Sequence, residues 1–320
     1  MNQGGKVINL KLNNWRDFFR LFKVFVDRQW VFRGHESSEW RLQSSLERDY
    51  AMFELASSQN LGERGQPFFV GPSVIDEKLA IENFRRMAAE RLSSTSSLVE
   101  TLAVMQHYGA KTRLLDFTYS PVVALHFAYE TRATNKERTV WAVNLGRLIR
   151  RNDALKDALG RFGKTLVEGE IHAKRCVWMQ DVANELAPAI VPLADRCIES
   201  EDHGNGILPI QLPGNNERLV AQNGLFLFPK NFKSFETNLS AAFGMEEHRL
   251  SGIAENPCTN FQTAELRDFD IIKIDFGAEM ESCARVLLDL MNISPQNLFP
   301  GIEGMARNVR YAYGRVADEK

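Results

Sequence analysis

The most constraining stretch of the chain runs from Leu102 to Tyr129, LAVMQHYGAKTRLLDFTYSPVVALHFAY, where polar side chains interrupt two apolar segments. The pattern predicts a helix, a tight turn, a short strand, a loop and a second helix. A buried charge is costly unless it is paired, so we expect the polar side chains to bind one another or a ligand. These side chains are His107, Thr112, Arg113, Asp116, Thr118 and Ser120.

A second stretch, WVFRGHESSEWRLQSSLER, has the same character. Trp30 to Gly34 is predicted to be a buried strand, with a polar loop from His35 onward. Arg33 then lies at the carboxyl end of the strand, where sheets commonly present binding groups. Its guanidinium offers a fork of donors for a phosphate or a ribose, and Gly34 would allow close backbone approach. Pairing of Arg33 with a carboxylate such as Asp116 is the structural alternative.

The other polar residues also allow two interpretations. Asp116 can orient an arginine or cap the next helix, and the structural role is favoured. Ser120 precedes Pro121 at a predicted helix start, where an anion would also be favoured, and capping explains the serine equally well. His107 ends a helix, and it becomes a candidate for proton transfer only if it lies in a cleft.

A third polar group is Gln222-Asn223-Gly224 within the apolar run VAQNGLFLF. Leu219 to Phe228 is predicted to be a strand. Polar residues in mid-strand, followed by glycine, indicate a bulge or the close approach of a ligand.

Helix starts are predicted at Asn14 and Ser120, and at two capping boxes, Ser73 with Asp76 and Ser97 with Glu100. Gly109 suits the position just after a helix. The run from 7 to 10 alternates weakly, which indicates an edge strand. These local signals predict where helices and strands begin or end, but they do not predict which elements pack against one another.

Strands and helices do not alternate regularly along the 320 residues, which favours an α+β fold over a doubly wound sheet. Elements of both halves appear interleaved, so we expect a single domain spanning residues 1–320. Within it, residues 57–72 are rich in Ser, Gly, Gln and Pro and are predicted to be a mobile surface loop. Residues from about 146 to 201 are predicted to be a helical insertion.

Composition excludes several classes of protein. The formal net charge of −2 gives no overall basic field for nucleic acid. No apolar run approaches the roughly 20 residues of a membrane span, and the N-terminal residues lack the apolar core of a secretion signal. The cysteines form no CxxC pair and have no closely spaced histidine, which argues against zinc. We therefore expect a cytoplasmic protein with free thiols, no metal and no membrane contact.

The same residues carry a resemblance to a known family. Phe32-Arg33-Gly34, followed by Trp40, Leu42 and Arg48, together with QHYGAKTRLLDFTYSPVVALHFA, strongly resembles the FRG domain family. Further similarity lies at Gln222, Gly224 and Phe226 and in LFPGIEGMAR near the end, so the resemblance spans nearly the whole chain. The departures are Lys111, where proline is expected, and Phe117, where tryptophan is frequent. FRG proteins are bacterial and phage-associated.

The arginine-type ADP-ribosyltransferases are similar in a weaker way, because an Arg-Gly also ends their first strand. This resemblance implies a split, mostly antiparallel sheet with flanking helices, in which Arg33 holds a phosphate or ribose of NAD. VAQNGLFLFP resembles their last element, and Gln222 stands where a glutamate is expected. Glutamine can bind a ribose hydroxyl but cannot stabilise an oxocarbenium ion by charge.

The resemblance thus implies an ADP-ribosyltransferase-like or NAD-handling effector, such as a bacterial toxin or phage-defence protein, with a protein or nucleic-acid acceptor. The alternative is a non-catalytic module that binds a nucleotide or protein and regulates a partner. Arg33, Arg113 and Asp116 are expected in one cleft, with the Gln222 amide pointing into it. The catalytic candidates are Arg33, Gln222 and His107. The residues expected to contact NAD are Arg33, Gly34, Thr112, Arg113, Asp116, Thr118 and Ser120.

Overall fold

The computed structural model describes residues 4–51, 73–90, 92, 96–131, 136–156, 179–200, 203–212, 217–247, 249–250, 252–253 and 257–316. The strands are β1 (Val7–Leu12), β2 (Trp30–His35), β3 (Leu115–Thr118), β4 (Arg138–Asn144), β5 (Ile207–Ile210), β6 (Gly224–Pro229) and β7 (Ile271–Phe276). The helices are α1 (Trp15–Phe25), α2 (Val74–Met87), α3 (Leu98–His107), α4 (Pro121–Ala128), α5 (Leu145–Arg151), α6 (Asp153–Lys156), α7 (Met179–Glu199), α8 (Glu217–Ala221), α9 (Phe235–Ala242), α10 (Thr263–Leu266), α11 (Glu281–Leu290), α12 (Pro295–Leu298) and α13 (Ile302–Val316). Residues 45–51 are also helical.

The strands form one seven-stranded sheet in the order β1-β7-β4-β2-β3-β6-β5. β1 pairs with β7 in parallel, and the remaining neighbours are antiparallel. The prediction of a mostly antiparallel α+β fold is confirmed, and β1 lies at an edge of the sheet as predicted. Strands from both ends of the chain meet in this sheet, while the interpretation of residues 1–320 as a single domain stays a prediction.

Two predicted segments fall partly or wholly outside the described residues. The loop predicted at 57–72 lies outside them. Of the helical insertion predicted at about 146–201, the described parts contain α5, α6 and α7, and residues 157–178 lie outside. In the described part of the chain, no helix combines the length and the apolar character needed to cross a membrane.

The pairing between β2 and β3 is the shortest in the sheet of described strands. These strands share a single residue pair, Phe32 with Thr118. β2 pairs with β4 along its whole length, from Trp30 to His35, and all four residues of β3 pair with β6. The described strands therefore form a continuous sheet rather than two separate ones, but the sheet opens beyond Phe32, at the end of β2 that carries Arg33.

Each face of the sheet has its own apolar core. Cross-strand partners share a face, and successive residues alternate between faces. Val31, Val143 and Ile271 belong to one core, and Phe32 belongs to the other, together with residues of α1 and α4. Arg33 therefore extends from the same face as Val31, whereas Gly34 faces α4.

The predicted caps are present. The Asn14 side chain accepts a hydrogen bond from the backbone N–H of Asp17, at 3.0 Å, and both predicted capping boxes form. Ser120 caps α4 by accepting from the N–H of Val123, at 3.3 Å. Gly109 follows α3 with a φ of 92°, as the helix-end signal predicted.

The predicted strand from Leu219 to Phe228 is wrong in its first half. Residues 217–221 form α8, and β6 begins only at Gly224. The N–H of Gln222 continues the helical pattern by donating to the Arg218 carbonyl, at 3.0 Å, and Asn223 then adopts a left-handed φ of 49°. Asparagine tolerates this conformation and ends the helix. Gln222 thus lies in a helix-to-strand turn and not within a strand.

The close packing of α4 against β2 requires glycine at position 34. A Cβ atom on Gly34 would overlap the carbonyl oxygen of Ala124 and lie 2.6 Å from the backbone nitrogen of Ala128. We expect Gly34→Ala to cost about 1–3 kcal/mol of unfolding free energy, because the backbone of α4 must move. Urea denaturation would measure the loss. Gly204→Ala is the matched control, since its added Cβ meets no atom within 4 Å; equal stability of the two variants would contradict this packing role.

Candidate functional site

A cleft opens where β2 and β3 separate. It consists of a larger chamber of about 780 Å³ and a smaller chamber of about 240 Å³. The larger chamber has the size of a typical small-molecule site. The two chambers adjoin, because both are lined by Arg33, Arg48, Asp116, Arg218 and Gln222.

Arg33 bridges the gap between the separated strands. Its Nη1 donates to the backbone carbonyl of Asp116, at 2.8 Å, and its Nε donates to Nε2 of His35, at 3.1 Å. Among the described residues, no carboxylate oxygen lies within 4.0 Å of this guanidinium. An arginine carries five N–H donors, so the group keeps donors for a ligand. Burial lowers the pKa of Arg33 to about 10, which leaves it charged at neutral pH.

His35 holds Arg33 in place. Burial and the charge of Arg33 lower the pKa of the buried imidazole to about 3, so His35 is neutral at physiological pH. Its Nε2 accepts from Arg33, and its Nδ1 lies 3.3 Å from the carbonyl of Trp40. A neutral imidazole has one donor and one acceptor, so Nδ1–H donates to Trp40. His35 therefore links Arg33 to the backbone at Trp40. The sequence predicted His35 to be part of a polar loop, and that prediction did not include this role.

Asp116 presents a carboxylate to both chambers. Its side chain is exposed, and Oδ2 accepts a hydrogen bond from Nε2 of Gln106, at 2.8 Å. The other end of the Gln106 amide accepts from the hydroxyl of Thr112. This chain of bonds holds the Asp116 carboxylate beside the Arg33 guanidinium without direct pairing, so the negative charge stays available in the cleft.

Gln222 lines both chambers together with Arg33. Its Nε2 donates to the carbonyl of Leu298, at 3.2 Å, and its own carbonyl accepts from the hydroxyl of Thr118, at 2.7 Å. Gln222 therefore lies at the cleft, although a turn places it there and not a strand, and the orientation of its amide toward a ligand stays a prediction. Its amide donor is already engaged by the segment that precedes α13.

Three other candidates also reach the cleft. His107 is exposed and lines the smaller chamber, and Thr118 lines the larger one. Gly34 lines the larger chamber too, but the space of its missing side chain is filled by α4 and not left for a ligand. The need for glycine at this position therefore comes from helix packing.

The expectation that Arg113 shares the cleft with Arg33 is wrong. Arg113 is buried and pairs with Glu77 of α2, with 2.7 Å between Nη2 and Oε2. Its guanidinium lies over the rings of Phe228 and Phe232, at 4.3 and 4.5 Å from their centroids. Burial lowers the pKa of Arg113, which the Glu77 charge opposes. Arg113 is thus a structural residue of the core.

Thr112 and Ser120 line neither chamber. The backbone of Thr112 exchanges hydrogen bonds with the hydroxyl of Ser45, at 3.1 and 3.2 Å. Ser120 uses its hydroxyl to cap α4. Neither residue therefore lies where it was predicted to contact a cofactor. Thr112 instead bonds to Ser45 in a loop, and Ser120 caps α4.

Sequence reasoning missed the aromatic and basic wall opposite Arg33. Two guanidinium groups contact the Phe299 ring, that of Arg307 at 3.9 Å and that of Arg218 at 4.7 Å from the ring centroid. Arg307 also pairs with Glu130, at 2.6 Å. Arg307, Phe299 and Glu130 line the larger chamber. No local signal in the segment from Leu298 to Arg307, which lies outside the FRG match over residues 28–137, indicated that it lines the cleft.

The buried pair of Arg113 and Glu77 allows a direct test of its structural role. Arg113→Met leaves the Glu77 carboxylate buried without its partner, and we expect a loss of about 3–5 kcal/mol in unfolding free energy. The double variant Glu77→Met, Arg113→Met removes both charges and should recover part of that loss. Chemical denaturation of both variants measures the difference. A double variant less stable than the single one would contradict the pairing.

Comparison with known proteins supports one of the two resemblances. Residues 28–137 match the model of the FRG domain. No curated protein and no solved structure matches the chain, so the similarity to ADP-ribosyltransferases depends on the motifs alone. The chain thus carries an FRG domain match over residues 28–137, which contains Arg33, His35 and Asp116 of the cleft.

Proposed function

We propose that the protein binds NAD or a related nucleotide in this cleft and acts on it as an ADP-ribosyltransferase-like enzyme. The observation that carries the proposal is the Arg33 guanidinium, which stands at the opening of the sheet with no carboxylate within 4.0 Å among the described residues. A fork of charged donors suits a phosphate group, and pairing with an anion offsets the cost of burying the charge.

Breaking the bond between nicotinamide and ribose leaves positive charge on the sugar, which a nearby carboxylate stabilises. Gln222 cannot supply that charge, but Asp116 lies in the same cleft and has a carboxylate held by Gln106. In the proposed reaction, nicotinamide departs with the bonding electron pair and the nucleophile of the acceptor forms the new bond to the ribose. His107 is the candidate to take the acceptor's proton, and Gln222 would contact a ribose hydroxyl.

The resemblance to FRG proteins extends this proposal to a biological role as a bacterial toxin or phage-defence effector. The acceptor would then be a protein or a nucleic acid. Incubation of the purified protein with labelled NAD and a bacterial lysate tests this directly, because transferred label identifies the acceptor. Label that appears only as free ADP-ribose would indicate NAD hydrolysis instead.

A second function, a non-catalytic nucleotide-binding module, is favoured by one observation. Gln222 is neutral, and its amide donor is engaged by the carbonyl of Leu298. In such a module Gln222→Glu would be tolerated and would introduce slow NAD hydrolysis. Nucleotide binding that depends on Arg33, without NAD consumption by the wild type, would select the module over the enzyme.

Arg33→Ala separates a ligand-binding role from a structural one. We expect the variant to lose less than about 3 kcal/mol of unfolding free energy, because the guanidinium bonds to a carbonyl and a neutral imidazole and leaves no buried carboxylate unpaired. The wild type should gain about 2.7 kcal/mol from NAD at about 100 times its dissociation constant, and Arg33→Ala should lose that gain. Thermal denaturation with and without NAD measures both quantities.

Arg16→Ala is the matched control for Arg33→Ala, because Arg16 is exposed on α1 and lines neither chamber. It removes the same charge and should retain the full gain from NAD. A loss of about 3–5 kcal/mol in Arg33→Ala without ligand would instead indicate a structural role for this arginine.

Asp116→Asn tests the catalytic part of the proposal. The amide keeps the size of the side chain and removes its charge, so we expect NAD consumption to fall by roughly 100-fold or more while NAD binding persists. Release of nicotinamide from NAD measures the rate. Asp268→Asn, at an exposed position outside both chambers, should leave the rate unchanged. An Asp116→Asn protein as active as the wild type would refute the assigned role.

A further inference from the structure

The two chambers of the cleft differ in charge. Four basic side chains of the described residues line the smaller chamber, against a single carboxylate, that of Asp116. The larger chamber is lined by five arginines and by four carboxylates, because Glu36, Glu39 and Glu130 join Asp116 there. The basic residues of the smaller chamber are Arg33, Arg48, Lys111 and Arg218. Basic groups thus exceed carboxylates by three in the smaller chamber and by one in the larger chamber, so a phosphate is favoured in the smaller one.

The basic groups of the smaller chamber are held in place by neighbours. Nη1 of Arg48 donates to the carbonyl of Gln43, at 2.7 Å, which leaves its other donors for a ligand. Lys111 pairs with Asp49 at the surface, at 3.3 Å. With Arg33 anchored by His35, at least two guanidinium groups converge on this chamber, an arrangement that suits a diphosphate better than a single anion.

The larger chamber also has an exposed aromatic side chain, that of Trp40. Trp40 is 53% exposed, although it lines this chamber. Its backbone carbonyl accepts a hydrogen bond from His35, and its ring centroid lies 6.2 Å from that of His35. The backbone at Trp40 is thus fixed by its hydrogen bond to His35. An exposed indole ring beside a cavity offers a stacking surface for a planar base.

Building on the proposed function, we infer that the ligand contains a nucleoside diphosphate and enters the cleft in one orientation. Its phosphates occupy the smaller chamber, at Arg33 and Arg48. Its base lies in the larger chamber and stacks on Trp40, on the side where Glu36 and Glu39 would repel a phosphate. His35 contacts both Arg33 and Trp40, so it positions the two recognition groups relative to each other.

Isothermal titration with two probes, ADP and inorganic pyrophosphate, tests this orientation. We expect Trp40→Ala to weaken ADP binding by about tenfold, the size of one base-stacking contact, and to leave pyrophosphate binding within about twofold. Trp40→Phe should restore most of the ADP affinity. Arg48→Ala should weaken both probes by a similar factor, because it removes a phosphate contact and no base contact.

The control is Phe19→Ala, an exposed aromatic residue of α1 that lines neither chamber, and it should change neither affinity. The orientation is wrong if Trp40→Ala leaves ADP binding intact or weakens both probes equally, or if a wild type that binds ADP does not bind pyrophosphate. In each of these cases the proposed function survives as long as Arg33→Ala abolishes ADP binding. If the wild type binds neither ADP nor NAD, the proposed function and this inference fall together.

Discussion

The cleft depends on the hydrogen bond between the Arg33 guanidinium and the Asp116 carbonyl, at 2.8 Å. β2 and β3 share only the pair of Phe32 and Thr118, so the ladder that would normally continue past this point is missing. A side chain takes over the connection, and the strands can separate around it. The same guanidinium therefore spans the gap in the sheet and offers its remaining donors to whatever enters the gap.

Two arginines of the FRG-matched segment, Arg33 and Arg113, have opposite roles because their partners differ. Arg113 has a buried carboxylate, that of Glu77, and two aromatic rings around it, so its charge is compensated within the protein. Arg33 has a carbonyl and a neutral imidazole, which satisfy donors but supply no negative charge. The Asp116 carboxylate acts on Arg33 without pairing directly with it, so an anionic ligand can add to the compensation of this charge.

The sequence predicted what depends on neighbouring residues and missed what depends on distant ones. The cap at Ser120 and the left-handed Gly109 involve contacts within a few residues, and both were predicted correctly. The pairing of Arg113 joins positions 36 residues apart, and the periodicity of neither segment contains that information. The strand predicted through Gln222 is wrong because an apolar run suits either a helix or a strand. Asn223 adopts a left-handed conformation, which ends a helix at this point.

The walls of the cleft come from two parts of the chain. The FRG match over residues 28–137 contains Arg33, Trp40 and Asp116, whereas Arg218 and Phe299 lie outside it. The matched segment thus contributes Arg33 to the cleft but does not enclose the cleft alone. Proteins that share the segment and differ in the rest would keep Arg33 and change the part of the wall that contains Arg218 and Phe299. If the proposed binding is correct, ligand selectivity in such proteins would follow the residues outside the match, since these shape the larger chamber.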